Sequence, residues 1–386
     1  MTTIHAATAL VDGHLVGPVR LDLDGPRIVS VATGAAAEQA PAADIGLRTG
    51  TLTPGLLDLQ NNGSFGADFA DATPQQWTDV LTGLASRGVT GLEPTIITAP
   101  LAELNEAFDR IHAAQQEHAD EPVSRILGAH LEGPFISERR KGAHRAECML
   151  DPTPQALDAL LDNPATAAVL LTVTLAPERA HALEAIRRLA DRGVVVAVGH
   201  SDATAEQVWA AADAGATMTT HIFNAQRPLK HREPGVAGAV LSDERFYVGV
   251  IIDGQHVHPS TVKIVYAAAH GRAIGVTDAI VTAGLPERTA LMFGGQSVAN
   301  DETGVGRRED GTIAGAGIVL DEAVRRMITA GIDPAVVLAS CTEVAARSIH
   351  RTDLGRLTPG ALADLVWWDE QWQPRRVWIG GTEIRS

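Results

Sequence analysis

Glu132, His200, His221 and Asp278 each close a short apolar run, in ILGAHLE, VVVAVGH, MTTH and IGVTD. One carboxylate and two neutral imidazoles form the donor set of many catalytic metal centres, which keep a further position open for water. Zinc, iron and manganese all accept such a set. A carboxylate next to metal-held water can take its proton and hand it to a leaving amine, and Asp278 is the candidate for that task. The competing readings of Asp278 are a fourth ligand and a helix cap; the following AIVTAG is a weak helix start. A lone histidine after a strand is usually a cap. A glutamate, two histidines and an aspartate on four strand ends point instead to one shared site.

Other polar residues fall near these. DLQNNG, residues 58–63, ends the first barrel-like run with Gln60 and Asn62. Carboxamides are poor ligands for a transition metal, so both are expected to hydrogen-bond water or substrate. LEGPF places a Gly-Pro turn directly after Glu132, and KGAH brings His144 onto the loop beyond. His144 could donate to a carbonyl or hydroxyl, or simply be solvated. FNAQRPLKHREPG gathers Arg227, Lys230, His231 and Arg232, a basic loop whose guanidinium forks suit phosphate oxygens. DGQHVHP adds His256 and His258 at another strand end, within expected reach of the same anion.

Side chains this far apart in sequence meet only if parallel elements bring their ends to one face. The middle of the chain has that pattern. VLTGLASRGVTGLEPTII reads as helix then strand, HALEAIRRLADRG as an amphipathic helix before VVVAVGH, and AEQVWAAADAGA as a helix before TMTTH. This β–α alternation, with β-branched strands, predicts a parallel sheet. The number of units favours an α/β fold of the (β/α)8 TIM-barrel type, with chemistry at the C-terminal ends of its strands. No GxGxxG follows a strand and opens a helix, so a dinucleotide site has no support. Both chain ends are β-rich, as in PRIVSVAT and ADLVWW. We expect residues 1–53 and 360–386 to build one small β domain around a barrel of residues 54–359. AAAEQAPAAD is expected to be a surface loop.

With 386 residues, 45% of them hydrophobic, the chain can bury a large core. Its net charge of −16 argues against a nucleic-acid partner but leaves room for a small anionic substrate held by local cations. No apolar run is long enough to span a bilayer, and MTTIHAATALVDGHLVG lacks the pattern of a secretory leader. A cytoplasmic location is expected, with no membrane partner. Cys148 and Cys341 stand outside any CxxC and are expected to be ordinary thiols.

In this order PGLLDLQNNG, GAHLEGPFISERRKGAH, VGHSDAT, THIFNAQRPLKHREPG, DGQHVHP and VTDAIVTAG are specific. They resemble the N-acetylglucosamine-6-phosphate deacetylases of the amidohydrolase superfamily, nearly end to end. The resemblance implies a barrel with a small β-sandwich formed by both termini. It implies hydrolysis of N-acetyl-D-glucosamine 6-phosphate to D-glucosamine 6-phosphate and acetate, in amino-sugar catabolism and cell-wall recycling. It puts the metal ligands on Glu132, His200 and His221, and the catalytic aspartate on Asp278. Substrate contacts fall on His144, Asn224, Ala225, Arg232 and His256. Arg232 is expected to reach the phosphate in a neighbouring subunit, which implies a homodimer. Family members with Gln-x-Asn on the first strand use one metal, so one divalent ion per subunit is expected here, zinc first with iron and manganese as alternatives. Alternatives are deacetylation of the galactosamine epimer, another amidohydrolase reaction, and a non-catalytic sugar-phosphate sensor.

Overall fold

The computed structural model describes residues 1–384, so Arg385 and Ser386 of the expected small domain lie outside the described residues. Parallel strands form its centre. They are β1 (Leu56–Asn61), β2 (Val89–Ile97), β3 (Ala129–Glu132), β4 (Leu170–Leu175), β5 (Val195–Val198), β6 (Met218–Thr219), β7 (Tyr247–Ile251) and β8 (Ala273–Val276). Each pairs in parallel with the next. The Asp278 amide donates to the Gln60 carbonyl (2.9 Å) and the Asn62 amide to the Ala279 carbonyl (2.7 Å), which ties the end of β8 back to β1. The fold is a TIM barrel.

A helix follows each strand: Pro74–Ser86, Leu101–Glu117, Pro154–Leu161 with Pro164–Val169, Ala182–Ala190, Ala205–Ala214, Gly235–Ser242, Pro259–Ala269 and Leu320–Thr329. Local sequence starts several of them. Thr73 and Thr204 form reciprocal caps with Gln76 and Gln207, and Thr153 and Asn163 accept amide hydrogens ahead of a proline. Helix Ala182–Ala190 buries Ala182, Ala185, Ile186 and Leu189, one face at helical spacing that must pack on the sheet. Among the described residues no helix is long and apolar enough to cross a membrane.

The termini supply two further sheets, one of four strands within residues 2–47 and one of six strands from residues 9–54 and 365–384. Ile4, Leu21, Ile28, Leu52, Leu365 and Trp378 fill a shared core between them. That packing is a small β-sandwich.

Two features depart from the sequence reading. The alanine-rich stretch is not all loop: Ala35–Glu38 forms a short helix. A four-stranded antiparallel sheet also interrupts the barrel between β8 and its helix. It consists of Ala290–Phe293, Gln296–Asn300, Val305–Arg308 and Ile313–Ala316. Its first two strands turn through Gly294 and Gly295, both at positive φ, a hairpin signal in the sequence that the β–α alternation concealed.

Candidate active site

Glu132 is the last residue of β3, and the chain must turn away immediately behind it. Gly133 does so at φ +85, where an added Cβ would lie 2.1 Å from Thr98 Oγ1. His200, His221 and Asp278 follow β5, β6 and β8 with φ of +46, +25 and +52. Non-glycine residues resist this region, and where they occupy it the surrounding structure usually holds them for function.

The barrel brings the predicted ligands together. Glu132 Oε1 lies 3.0 Å from His200 Nε2 and 2.8 Å from His221 Nε2, and the two nitrogens are 3.1 Å apart. Three donors each about 2.0–2.2 Å from one ion would be spaced in this way. All three side chains are buried. His200 Nδ1–H donates to the Arg140 carbonyl (2.9 Å), which leaves its Nε2 lone pair facing the Glu132 carboxylate. Two acceptors 3.0 Å apart repel unless a cation lies near both. The cluster is therefore compatible with a divalent metal. Burial opposes charge on Glu132, yet the two imidazoles beside it hold its carboxyl well below the usual range. Burial likewise opposes charge on His221, but Glu132 raises it to about 9.

Asp278 stands beside this group. Asn62 Nδ2 donates to its Oδ1 at 2.8 Å, and Gln60 Nε2 lies 3.3 Å from both Asp278 Oδ1 and Glu132 Oε1. The two carboxamides thus brace the carboxylates of the site. Asn62 Oδ1 is buried and has no protein partner, so it remains an acceptor. Burial, then the Glu132 charge, raises the Asp278 carboxyl above its ordinary value.

Glu132, His144, His200, His221, Asn224, Ala225, His256 and Asp278 all line one cleft. His256 Nδ1 donates to Asp253 Oδ2 at 2.7 Å. Burial would raise the Asp253 carboxyl, but that bond and the His256 charge hold it low. Arg232 is exposed and lies outside the cleft. In the basic loop Arg227 donates to the Asp202 carbonyl at 3.2 Å and lies 3.8 Å from Glu233, and Lys230 lies 3.4 Å from Glu233. His258 caps the helix Pro259–Ala269 by accepting from the Ser260 amide.

His144 also brings a ring nitrogen within 4.8 Å of the Glu132 and His200 ligand atoms, so it could complete a metal trio in place of His221. Its hydrogen bonds argue for a different job. The Thr98 amide donates to His144 Nδ1 at 3.3 Å, and Thr98 Oγ1 lies 2.8 Å from the same nitrogen. With Nδ1 accepting, Nε2 carries the proton and is a donor. Replacing His221 with Ala should therefore strip bound metal, and replacing His144 with Ala should leave it. Metal loss from the His144 variant, measured by elemental mass spectrometry, would return His144 to the ligand set.

Sequence reasoning missed the roof and one wall of the cleft. Ile97, Phe293, Ile313, Ala314 and Gly315 line it, four of them from the inserted sheet. Arg308 of that sheet donates to the Ala143 carbonyl, tying the roof to the His144 loop. Apolar residues and backbone carbonyls leave little trace of such a role in sequence; the Gly-Gly turn was the one readable signal.

Residues 51–384 match the model of the amidohydrolase family. The chain belongs to that family. This amidohydrolase is 36% identical over 332 residues to an N-acetylgalactosamine-6-phosphate deacetylase of Escherichia coli O157:H7, covering 86% of each chain. It is 35% identical over 336 residues to an N-acetylglucosamine-6-phosphate deacetylase of Vibrio furnissii, covering 86% of this chain and 82% of the relative. Among solved structures, it is similar to an aspartate-to-alanine mutant of the Mycobacterium smegmatis N-acetyl-D-glucosamine-6-phosphate deacetylase, in complex with N-acetyl-D-glucosamine 6-phosphate. That similarity has a TM-score of 0.92 and 32% identity over 100% of this chain and 99% of the other.

Proposed function

We propose that this amidohydrolase removes acetate from N-acetyl-D-glucosamine 6-phosphate and releases D-glucosamine 6-phosphate. The observation that carries the reading is the convergence of Glu132, His200, His221 and Asp278 in one cleft. The similarity to deacetylases of N-acetyl amino-sugar 6-phosphates supports it. A single divalent ion, zinc, held by Glu132, His200 and His221 would supply Lewis-acid polarisation and acidify water.

The chain's own residues do the rest. Asp278 takes the proton of the attacking water and passes it to the departing amine. Asn62 and Gln60 hold the Asp278 carboxylate by one oxygen, which leaves the other free for that transfer. His144 donates through Nε2–H to the acetamide oxygen as it gains charge. His256, braced by Asp253, and the Asn224–Ala225 turn receive the sugar phosphate. Arg232, exposed and without a salt-bridge partner among the described residues, suits a role at the phosphate of a neighbouring subunit in a cytoplasmic homodimer.

Incubating metal-replete protein with N-acetylglucosamine 6-phosphate should release one acetate per sugar. Calorimetric binding without acetate release would make the protein a sensor instead. The galactosamine epimer is the second reading, because relatives acting on each epimer stand at 36% and 35% identity. Comparing kcat/KM for the two epimers separates them: a tenfold preference for the galactosamine substrate would replace the first reading with the second.

A further inference from the structure

The cleft has two unlike sides. Toward β6 and β7 it presents Asn224 and His256; toward β2 it presents Ile97 and Phe293. β2 and β6 are the second and sixth strands of the barrel, so they face each other across it. The wall opposite the polar rim is therefore apolar. A second cavity lies behind that wall, about 950 Å³ of open space reached by Asp68, Thr95, Thr98 and Arg110. Ile97 and Phe293 line both spaces. The partition is about one side chain thick. A Cβ on Gly294 would sit 3.0 Å from Ile97 Cδ1, so the tip of Ile97 abuts the hairpin backbone beside Phe293. Ile97 packs against the small cluster of Phe293, Ile280, Val281 and Val298.

We propose that Ile97 and Phe293 form the wall that receives the methyl of the substrate's N-acyl group, and that this wall sets acyl-chain length. The inference rests on the deacetylase reading. With the amide at Glu132 and Asp278 and the sugar phosphate toward His256, the acyl end points at β2. An acetyl methyl is the only apolar terminus such a substrate has, and Ile97 and Phe293 are the apolar surface it meets. A longer acyl chain collides with Ile97 unless the partition opens. A closed apolar pocket discriminates by about 10–200-fold per methylene.

The test is a series of glucosamine 6-phosphates carrying N-acetyl, N-propionyl or N-butyryl groups. kcat/KM is measured for the unaltered protein and for Ile97→Val, Ile97→Ala and Phe293→Leu. In the unaltered protein it should fall about tenfold or more per added methylene. Ile97→Ala joins the two cavities and should raise the butyryl-to-acetyl ratio by about tenfold or more, with Ile97→Val showing a smaller rise. The ratio is taken within one preparation, so partial misfolding cancels from it. An unaltered protein that turns over all three acyl groups equally overturns the proposal, as does a ratio left unchanged by both Ile97→Ala and Phe293→Leu. Failure of the unaltered protein on every acyl group, acetyl included, removes the deacetylase reading instead.

Discussion

Replacing Asp278 with Asn should lower kcat for acetate release by about 10²–10⁴-fold while the protein keeps its full metal content. The substitution is nearly isosteric and preserves the local bonding. Asn62 Nδ2 and Gln60 Nε2 both donate to Asp278 Oδ1, and an Asn carbonyl oxygen accepts the same two bonds. What is lost is the second oxygen, which becomes an amide nitrogen that cannot take a proton. The metal donors are spared, because Glu132, His200 and His221 lie within 3.1 Å of one another without any help from Asp278. Steady-state kinetics with elemental analysis of the same sample checks the result. Loss of metal would make Asp278 a ligand, and activity within tenfold of the unaltered protein would place the proton transfer elsewhere.

Much of the site was readable because a barrel converts sequence position into spatial position. A polar residue that ends an apolar strand must emerge at the mouth, and Glu132, His200, His221 and Asp278 do. What happens after the strand end is harder to read. His256 and His258 sit two residues apart in DGQHVHP, yet one faces the cleft against Asp253 and the other caps a helix. The outcome depends on the helix start at Pro259, not on residue type. The basic loop reads as an anion site because its cations are dense, yet it also carries Glu233, 3.8 Å from Arg227 and 3.4 Å from Lys230. Phe293 was invisible for a different reason: an apolar residue in a hairpin could serve any core. A chain of polar side chains runs through the interior beneath the site. There Thr95 bonds His130 Nδ1 at 3.2 Å, His130 Nε2 bonds Thr174 at 2.7 Å, and Thr174 bonds Thr220 at 2.5 Å. Burial lowers His130 to about 4, so it stays neutral within that chain.

Glu93 belongs to the same polar interior and carries the largest expected effect on stability. It lies on β2 within TGLEPTII, a single charge in an apolar strand, and its side chain is fully buried. Neither carboxyl oxygen has a hydrogen-bond partner in the protein. Burial pushes its carboxyl up to about 8, and Thr172, close enough to favour the ionised form but not bonded to it in ordinary geometry, offsets only part of that. The folded protein therefore holds a proton on Glu93 that the unfolded chain releases near 4.5, the ordinary value for a glutamate. The pH-linked cost of this group is absent below that pH and grows as pH rises toward 8, because the folded state must either ionise Glu93 away from water or hold a proton that the solvent would take. The slope is about 1.4 kcal/mol per pH unit through that window. Glu93→Gln, and the apolar Glu93→Met, should remove the slope. Each should gain about 2–4 kcal/mol more over the unaltered protein at pH 8 than at pH 5. Denaturant unfolding at the two pH values measures this directly. A difference between variant and unaltered protein that is the same at pH 5 and pH 8 would mean that Glu93 ionises in the barrel as freely as it does in water. Its lack of hydrogen-bond partners would then have to be met by water inside the barrel floor.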